Sequence, residues 1–263
     1  MDSVGKTLFI PLYGKAAVSR KGIILSDPTA EQIWEAEGFP VKRRSRSKWL
    51  AYFMAMRAAV FDNWLREEMA KDREAVILQV GCGLDSRIER VGAGGHRWYD
   101  VDFEEVIGLR KRFFQPDEQY HMLPGDLREP GWLRSIPEGT NALIALEGIS
   151  MYLQPEEMQS FLRSAGEHFR EVSLLMDCYT EKGARATKVK NPIRDVGVTA
   201  AYGTDDPAVW EQGTGFSFLR EHDMTPGDLI EQLPGAERFL FRTLFGGKVA
   251  RSLYRLYEFQ KTM

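Results

Sequence analysis

The sequence predicts an α/β protein built on an open, doubly wound, mostly parallel sheet. Three observations carry that reading. First, Val76–Val80 is a short β-branched apolar run that ends in Gly81-Cys82-Gly83, and the next run, Arg97–Asp102, ends in an acid twenty-one residues after the first glycine. Strand, glycine turn, helix, strand and acid is the layout of a nucleotide-type pocket at the carboxyl edge of a parallel sheet. Glycine lets the backbone approach a ligand closely, and a carboxylate can accept hydrogen bonds from two ribose hydroxyls. Second, apolar runs of strand length alternate with helical patterns from residue 76 to about 180. Third, three of those runs end in acids, Asp102, Glu147 and Asp177, and a fourth is followed by Asp126.

The elements follow in chain order. Residues 1–25 hold a short apolar run, Leu8–Tyr13, without a clear period. Ser26-Asp27-Pro28-Thr29 is a helix start in which Asp27 or Thr29 can cap, and TAEQIWEAE is a short amphipathic helix. The basic run KRRSRSK at 42–48 reads as a solvated connection, because no aromatic interleaving or overall positive charge accompanies it. Trp49–Met69 is a long helix whose apolar residues recur at steps of three and four. Arg57 falls inside that apolar stripe, where it must be either a structural ion-pair partner or a clamp for a ligand carboxylate. A helix at 103–113, strands at 119–123 and 141–146, a helix opened by Pro155 and running to about Phe169, and a strand at 172–177 complete the alternation. Residues 180–216 break it with a polar stretch containing Lys182, Arg185, Lys188, Lys190 and Arg194. A segment of that length within a domain is usually functional or mobile. Residues 216–219 resume a strand, Thr225–Asp228 opens a short helix to about Leu233, and 237–245 and 253–260 read as two closing strands around a short helix at 247–252.

With 263 residues, 43% hydrophobic and 28% charged, the chain is an ordinary globular protein large enough for a sizeable core. A net charge of −3 gives no electrostatic case for nucleic acid or anionic membrane. No run reaches membrane-spanning length and residues 1–20 lack a signal peptide's apolar stretch, so a cytoplasmic location is expected. Cys82 and Cys178 both follow apolar runs and read as small buried thiols. Neither C-x-x-C nor H-x-x-x-H occurs, so no metal site is expected. His96 and His121 lie before and within strands and read as structural. The dinucleotide fingerprint G-x-G-x-x-G fails at its third glycine, which is Ser86 here. This weakens a hydride-transferring oxidoreductase as a rival, and leaves a non-catalytic binding protein as a second one.

The stretches LSDPTAEQIW, AMRAAVFDNWL, VILQVGCGLDSRIER, WYDVDFEEVIGLRKRF, PGDLRE and ALEGISMYLQPEEM together resemble the leucine carboxyl methyltransferase superfamily, and within it the bacterial branch similar to polyketide and other small-molecule O-methyltransferases. The resemblance implies a Rossmann-like class I fold, a seven-stranded sheet with an antiparallel last strand inserted between its neighbours, and S-adenosyl-L-methionine as the methyl donor. It implies one methyltransferase domain: an N-terminal helical cap (1–71), a cofactor-binding core (72–179), a substrate lid (180–216) and the completion of the sheet (217–263). It also implies residue roles. Arg57 would hold the cofactor's methionine carboxylate, joined by Lys15. The turn Gly81-Cys82-Gly83 would pass beneath the methionine and ribose, and Asp102 would bind the ribose hydroxyls. Asp126 and Leu127 would flank the adenine, and Glu147 would approach the ammonium.

The implied reaction is O-methylation, by in-line displacement on the methyl group, of a small acceptor, with a carboxylate preferred and a hydroxyl of a polyketide-like metabolite or a protein C-terminus as alternatives. A carboxylate is already ionised and needs no base. Tyr152, just past Glu147, would border the acceptor and is the candidate catalytic residue, in a reaction driven mainly by proximity. Arg185, Lys188 and Arg194 would attract an acidic one.

Overall fold

The computed structural model describes residues 8–37, 46–187 and 201–262. Its centre is one seven-stranded sheet of β1 (Val76–Val80), β2 (Trp98–Asp102), β3 (Tyr120–Pro124), β4 (Ala142–Leu146), β5 (Val172–Tyr179), β6 (Ser217–Glu221) and β7 (Tyr254–Lys261), in the order β3-β2-β1-β4-β5-β7-β6. The first five strands run parallel to one another, and β7 is antiparallel to both β5 and β6. The inserted antiparallel strand is therefore present. The expected strand at 237–245 is not.

Those residues form a helix. The chain carries α1 (Phe9–Ser19), α2 (Pro28–Glu37), α3 (Lys48–Lys71), α4 (Arg87–Val91), α5 (Glu104–Arg110), α6 (Pro155–His168), α7 (Glu181–Thr187), α8 (Gly227–Glu231), α9 (Gly235–Leu244) and α10 (Gly247–Arg251). In ERFLFRTLF every second residue from Phe239 to Phe245 is apolar or β-branched, which imitates a strand. The four-residue step from Phe241 to Phe245 decides otherwise: Phe241 meets Tyr52 and Phe245 stacks on Trp49, both on α3. The β7 partner is β6, reached across three helices rather than by a hairpin.

A second correction lies at the N-terminus, where α1 occupies part of the region that showed no period. Its buried residues include Phe9, Ile10, Leu12, Lys15, Ala16 and Val18, so burial runs around the helix and leaves no single apolar stripe. Pro11 is tolerated in the first turn. Gly14 lets α1 approach α3 closely, since a Cβ there would lie 3.2 Å from Met54 Cβ. Asp27 caps α2 by accepting from the Ala30 N–H at 2.8 Å, as the helix-start signal required.

Strand residues alternate between the two faces of the sheet. Ile77, Trp98, Leu143 and Leu175 pack with Phe61 and Trp64 of α3, whereas Leu78, Val101, Ile144 and Leu174 pack with Met158, Phe161 and Leu162 of α6. The strand order reverses between β1 and β4, and the carboxyl ends of these two strands flank the crevice in which such sheets bind ligands. Among the described residues, no helix is long and apolar enough to cross a membrane.

Candidate active site

A cavity of about 340 Å³ opens at that crevice. The glycine turn forms its floor. Gly81 and Gly83 adopt φ of +68° and +52°, a left-handed backbone that side chains disfavour, and a Cβ on Gly81 would sit 2.5 Å from Ile149 Cδ1. The Gly83 N–H donates to Asp102 Oδ2 at 2.8 Å, and the Phe103 N–H donates to Oδ1 at 2.8 Å. These bonds aim the carboxylate along the end of β2. Burial nevertheless pushes the Asp102 carboxyl above its ordinary value, against the pull of the two N–H groups. Arg110, itself buried and ion-paired with Asp100, donates to the Gly83 carbonyl at 3.2 Å and anchors the turn from below.

Beyond β3, Asp126 and Leu127 line the cavity together, with Leu127 buried and Asp126 gripped by Arg128 Nη2 at 2.6 Å. On the opposite wall, Arg57 Nη1 lies 2.7 Å from Asp177 Oδ2 and 3.2 Å from the Tyr254 hydroxyl, and Nε donates to Glu147 Oε1 at 3.0 Å. Burial works against the Arg57 charge, but Glu147 and Asp177 outweigh it and hold the guanidinium protonated. Glu147 is also paired with Arg87, and the two arginines overcome burial to keep its pKa below the ordinary value. Lys15, from α1, reaches the same wall and pairs with Asp85 at 2.8 Å.

The structure thus gathers Lys15, Arg57, Gly81, Cys82, Gly83, Asp102, Asp126, Leu127, Glu147 and Tyr152 around one cavity. Arg57 is at once a buried ion-pair partner and part of the cavity wall. Cys82 and Cys178 are free and buried, His96 holds the Ala75 carbonyl at 2.9 Å and His121 stacks on Tyr99. Arg185 is different. It lies on α7 outside the cavity lining, its side chain 73% exposed and paired with Glu181. Lys188, Lys190 and Arg194 lie outside the described residues, as do most of the 42–48 basic run and the beginning of the chain.

Sequence reasoning missed the charge network behind the wall. Arg87 pairs with Asp62, and Arg90 with Asp27, Asp62 and Asp85, all buried. A signal was present: Asp62 stands on the long helix amid apolar residues that periodicity buries, and so demanded a cationic partner. In the sequence Asp177 reads only as a strand end, and Tyr254 only as part of a closing strand. Both belong to the setting of Arg57.

Residues 9–166 match the family model described as leucine carboxyl methyltransferase. The chain belongs to the leucine carboxyl methyltransferase family. Two relatives extend the match over more of its length. The tetracenomycin polyketide synthesis O-methyltransferase TcmP of Streptomyces glaucescens is 26% identical over 243 residues, covering 91% of this chain and 90% of the relative. The S-adenosyl-L-methionine-dependent methyltransferase dpfgK of Gibberella zeae is 27% identical over 225 residues, covering 77% and 76%. Among solved structures, the magnesium protoporphyrin IX methyltransferase of Synechocystis PCC 6803 with bound SAH superposes with a TM-score of 0.51 at 13% identity, over 89% of this chain and 94% of that one, a likeness of fold.

This family member is an S-adenosylmethionine-dependent O-methyltransferase of class I fold, and the oxidoreductase rival falls away. The cavity fits the cofactor on its own terms: a close-approach glycine turn, an aimed carboxylate at the end of β2 and a charged far wall. The cofactor supplies a methyl group on a positively charged sulfur. The chain supplies position, which in oriented systems lowers a barrier by about 7–11 kcal/mol.

Proposed function

We propose that the protein methylates a carboxylate of a small, largely apolar acceptor, forming a methyl ester. One observation carries this reading: every carboxylate lining the cavity is already engaged. Asp85 pairs with Lys15, Asp102 is bonded by two backbone N–H groups, Asp126 is held by Arg128, and Glu147 is held by Arg57. No histidine is among the described lining residues. A hydroxyl acceptor needs a base to take its proton, whereas a carboxylate arrives ionised. Arg57, Asp102, Asp126, Leu127, Glu147 and the glycine turn are assigned to the cofactor, and Lys15 joins Arg57 at the methionine carboxylate. The acceptor is assigned to the wall of Met54, Met151, Tyr152, Tyr179 and Tyr254, whose apolar and aromatic faces suit a flat ring system.

The polyketide pathway in the name of the Streptomyces relative supports a small-molecule acceptor over a protein C-terminus, and keeps a polyketide hydroxyl as the second reading. The experiment is transfer of labelled methyl from S-adenosylmethionine to a panel of aromatic carboxylic acids and their phenolic counterparts, followed by mild alkali. Release of the label as methanol from the acid products is expected. Alkali-stable label on the phenols alone would overturn the ester reading.

A further inference from the structure

Three chain segments meet at the carboxyl end of β5. On one side Tyr179 pairs with Tyr254 at the start of β7, and the Thr180 N–H donates to the Leu253 carbonyl at 3.1 Å. On the other, Tyr179 bridges to Gly203, and its carbonyl accepts from the Thr204 N–H at 2.9 Å. The adjoining Tyr202 N–H donates to the Met151 carbonyl at 2.9 Å. The helix α7 then starts directly after Thr180. Two glycines make this crossing possible by their lack of a side chain. A Cβ on Gly183 would collide with the Leu253 carbonyl, and one on Gly203 with the carbonyls of Tyr179 and Thr180. Backbones packed so closely leave the segments no room to move inwards.

The side chain of Thr180 is buried at this crossing and is not part of the cavity lining. Its hydroxyl donates to the Ser252 carbonyl at 2.9 Å and accepts from the Gly183 N–H at 2.9 Å. One hydroxyl thus caps α7 and ties it to the turn that delivers Tyr254. Tyr179 and Tyr254, on either side, do line the cavity, and their rings meet edge to face with centroids 4.6 Å apart. We infer that Thr180 is a positioning residue for the methyl acceptor, setting the Tyr179–Tyr254 wall through the backbone while touching no ligand. The inference rests on the acceptor assignment above and extends it to a residue outside the cavity. The cofactor half is held by other means. Asp102 is aimed by the Gly83 N–H, and Arg57 is clamped by Glu147 and Asp177. The Tyr254 hydroxyl is a longer contact of Arg57, at 3.2 Å against 2.7 Å for Asp177, so a shift of Tyr254 leaves the guanidinium in place.

The test separates the two halves of the cavity by calorimetry. The acceptor probe is 6-hydroxy-2-naphthoate, a flat ring system carrying both a carboxylate and a phenol, titrated into protein saturated with S-adenosylhomocysteine. Thr180→Val keeps the shape of the side chain and removes the hydroxyl, and Thr180→Ser keeps the hydroxyl. In Thr180→Val the Kd for the naphthoate should rise about tenfold, while that for S-adenosylhomocysteine stays within about twofold. Thr180→Ser should return the naphthoate Kd to within about twofold of wild type. Should Thr180→Val fail to fold, Thr180→Ala, which removes the hydroxyl without adding bulk, carries the same comparison. A lower Tm with both affinities intact overturns the inference, since Thr180 would then only cap α7. Equal loss for both ligands also overturns it, in favour of a general disturbance of the cavity. So does a Thr180→Ser variant that binds the naphthoate no better than Thr180→Val. Failure of the unaltered, S-adenosylhomocysteine-bound protein to take the naphthoate overturns the acceptor assignment itself, a different result from any of these.

Discussion

Arg57 and Glu147 stand 90 residues apart in the chain, yet Arg57 Nε lies 3.0 Å from Glu147 Oε1 on the wall of the cavity. One comes from the middle of α3 and the other from the end of β4, so the pair joins the helical layer to the strand that marks the reversal of the sheet. Asp177, at the same edge on β5, takes the other side of the guanidinium and accepts from the Gly148 N–H at 2.7 Å. Gly148 leaves room for this: a Cβ there would lie 3.4 Å from Arg57 Nη2. The arginine that would hold a cofactor carboxylate is therefore pre-positioned by two protein carboxylates.

That arrangement makes Arg57 substitutions costly in two measurable ways. Arg57→Met strands two buried carboxylates and should lower stability in denaturant titration by about 3–5 kcal/mol. Arg57→Lys keeps the charge but cannot reproduce a planar fork with three partners, so it should cost less stability and still weaken cofactor binding about tenfold. Loss of stability in Arg57→Lys with cofactor affinity untouched would confine Arg57 to a structural role.

Asp102 should give the cofactor site its acid limit. Burial raises its carboxyl above the ordinary 3.8, and the anion is the proposed ribose acceptor. Affinity is then full above the raised value and is lost as pH falls through it, starting at a higher pH than for an ordinary aspartate. Its share of the stability of the ligand-free protein has the opposite sign. A raised carboxyl favours the folded state when protonated, so that share is present below 3.8 and is lost as pH rises through the folded value. Asp102→Asn should remove both dependences and weaken cofactor binding about 10- to 100-fold at neutral pH. Calorimetry and thermal melts across pH, wild type against variant, separate the two.

Gly81→Ala tests the floor. The left-handed backbone strains an alanine by roughly 1–2 kcal/mol, and its Cβ would collide with Ile149 at 2.5 Å. Ile149 lines the cavity, so relief of the clash pushes it towards the ligand. Expected are a modest fall in Tm and a larger fall in cofactor affinity. Gly139→Ala is the control, with a similar φ of +71° and nothing within 4 Å of its Cβ: it should lose stability only.

The parts of this protein that repeat a simple period were legible in the sequence, and so was the edge they build. Val76–Val80, apolar but for Gln79, and the wholly apolar Ala142–Leu146 are buried at every position, so the two runs announced central parallel strands, and their carboxyl ends located the cavity. The helix α1 was not legible because Lys15 and Gly14 are buried with its apolar residues, erasing the period. The helix α9 was misread because an alternating pattern and a four-residue step coexist in ERFLFRTLF, and only contact with Trp49 and Tyr52 chooses between them. The partners of Arg57 were illegible for another reason. Glu147 and Asp177 each read as acids at strand ends, but nothing local says that adjacent strands β4 and β5 would present them to one guanidinium.

The remaining prediction concerns the basic residues after β5. Five cations in the thirteen positions from Lys182 to Arg194 of an acidic chain suggested a receiver for an acidic acceptor. Arg185 does not fit that part. Its Nη2 lies 2.6 Å from Glu181, in an exposed pair four residues apart on one helix turn. Such pairs contribute only about 0.3–0.5 kcal/mol and are screened by salt. Lys182 is likewise exposed, with its ammonium 3.5 Å from the Ser252 hydroxyl. Arg185→Ala and Lys182→Ala should leave the acceptor KM, kcat and cofactor affinity within about twofold of wild type. The charge hypothesis then moves to Lys188, Lys190 and Arg194. Neutralising the residue that receives a carboxylate would raise the acceptor KM severalfold and reduce the salt sensitivity of turnover, while cofactor affinity stayed constant. A raised KM in Arg185→Ala alone would instead mean that α7 turns its charge towards the acceptor during turnover, against the placement described here.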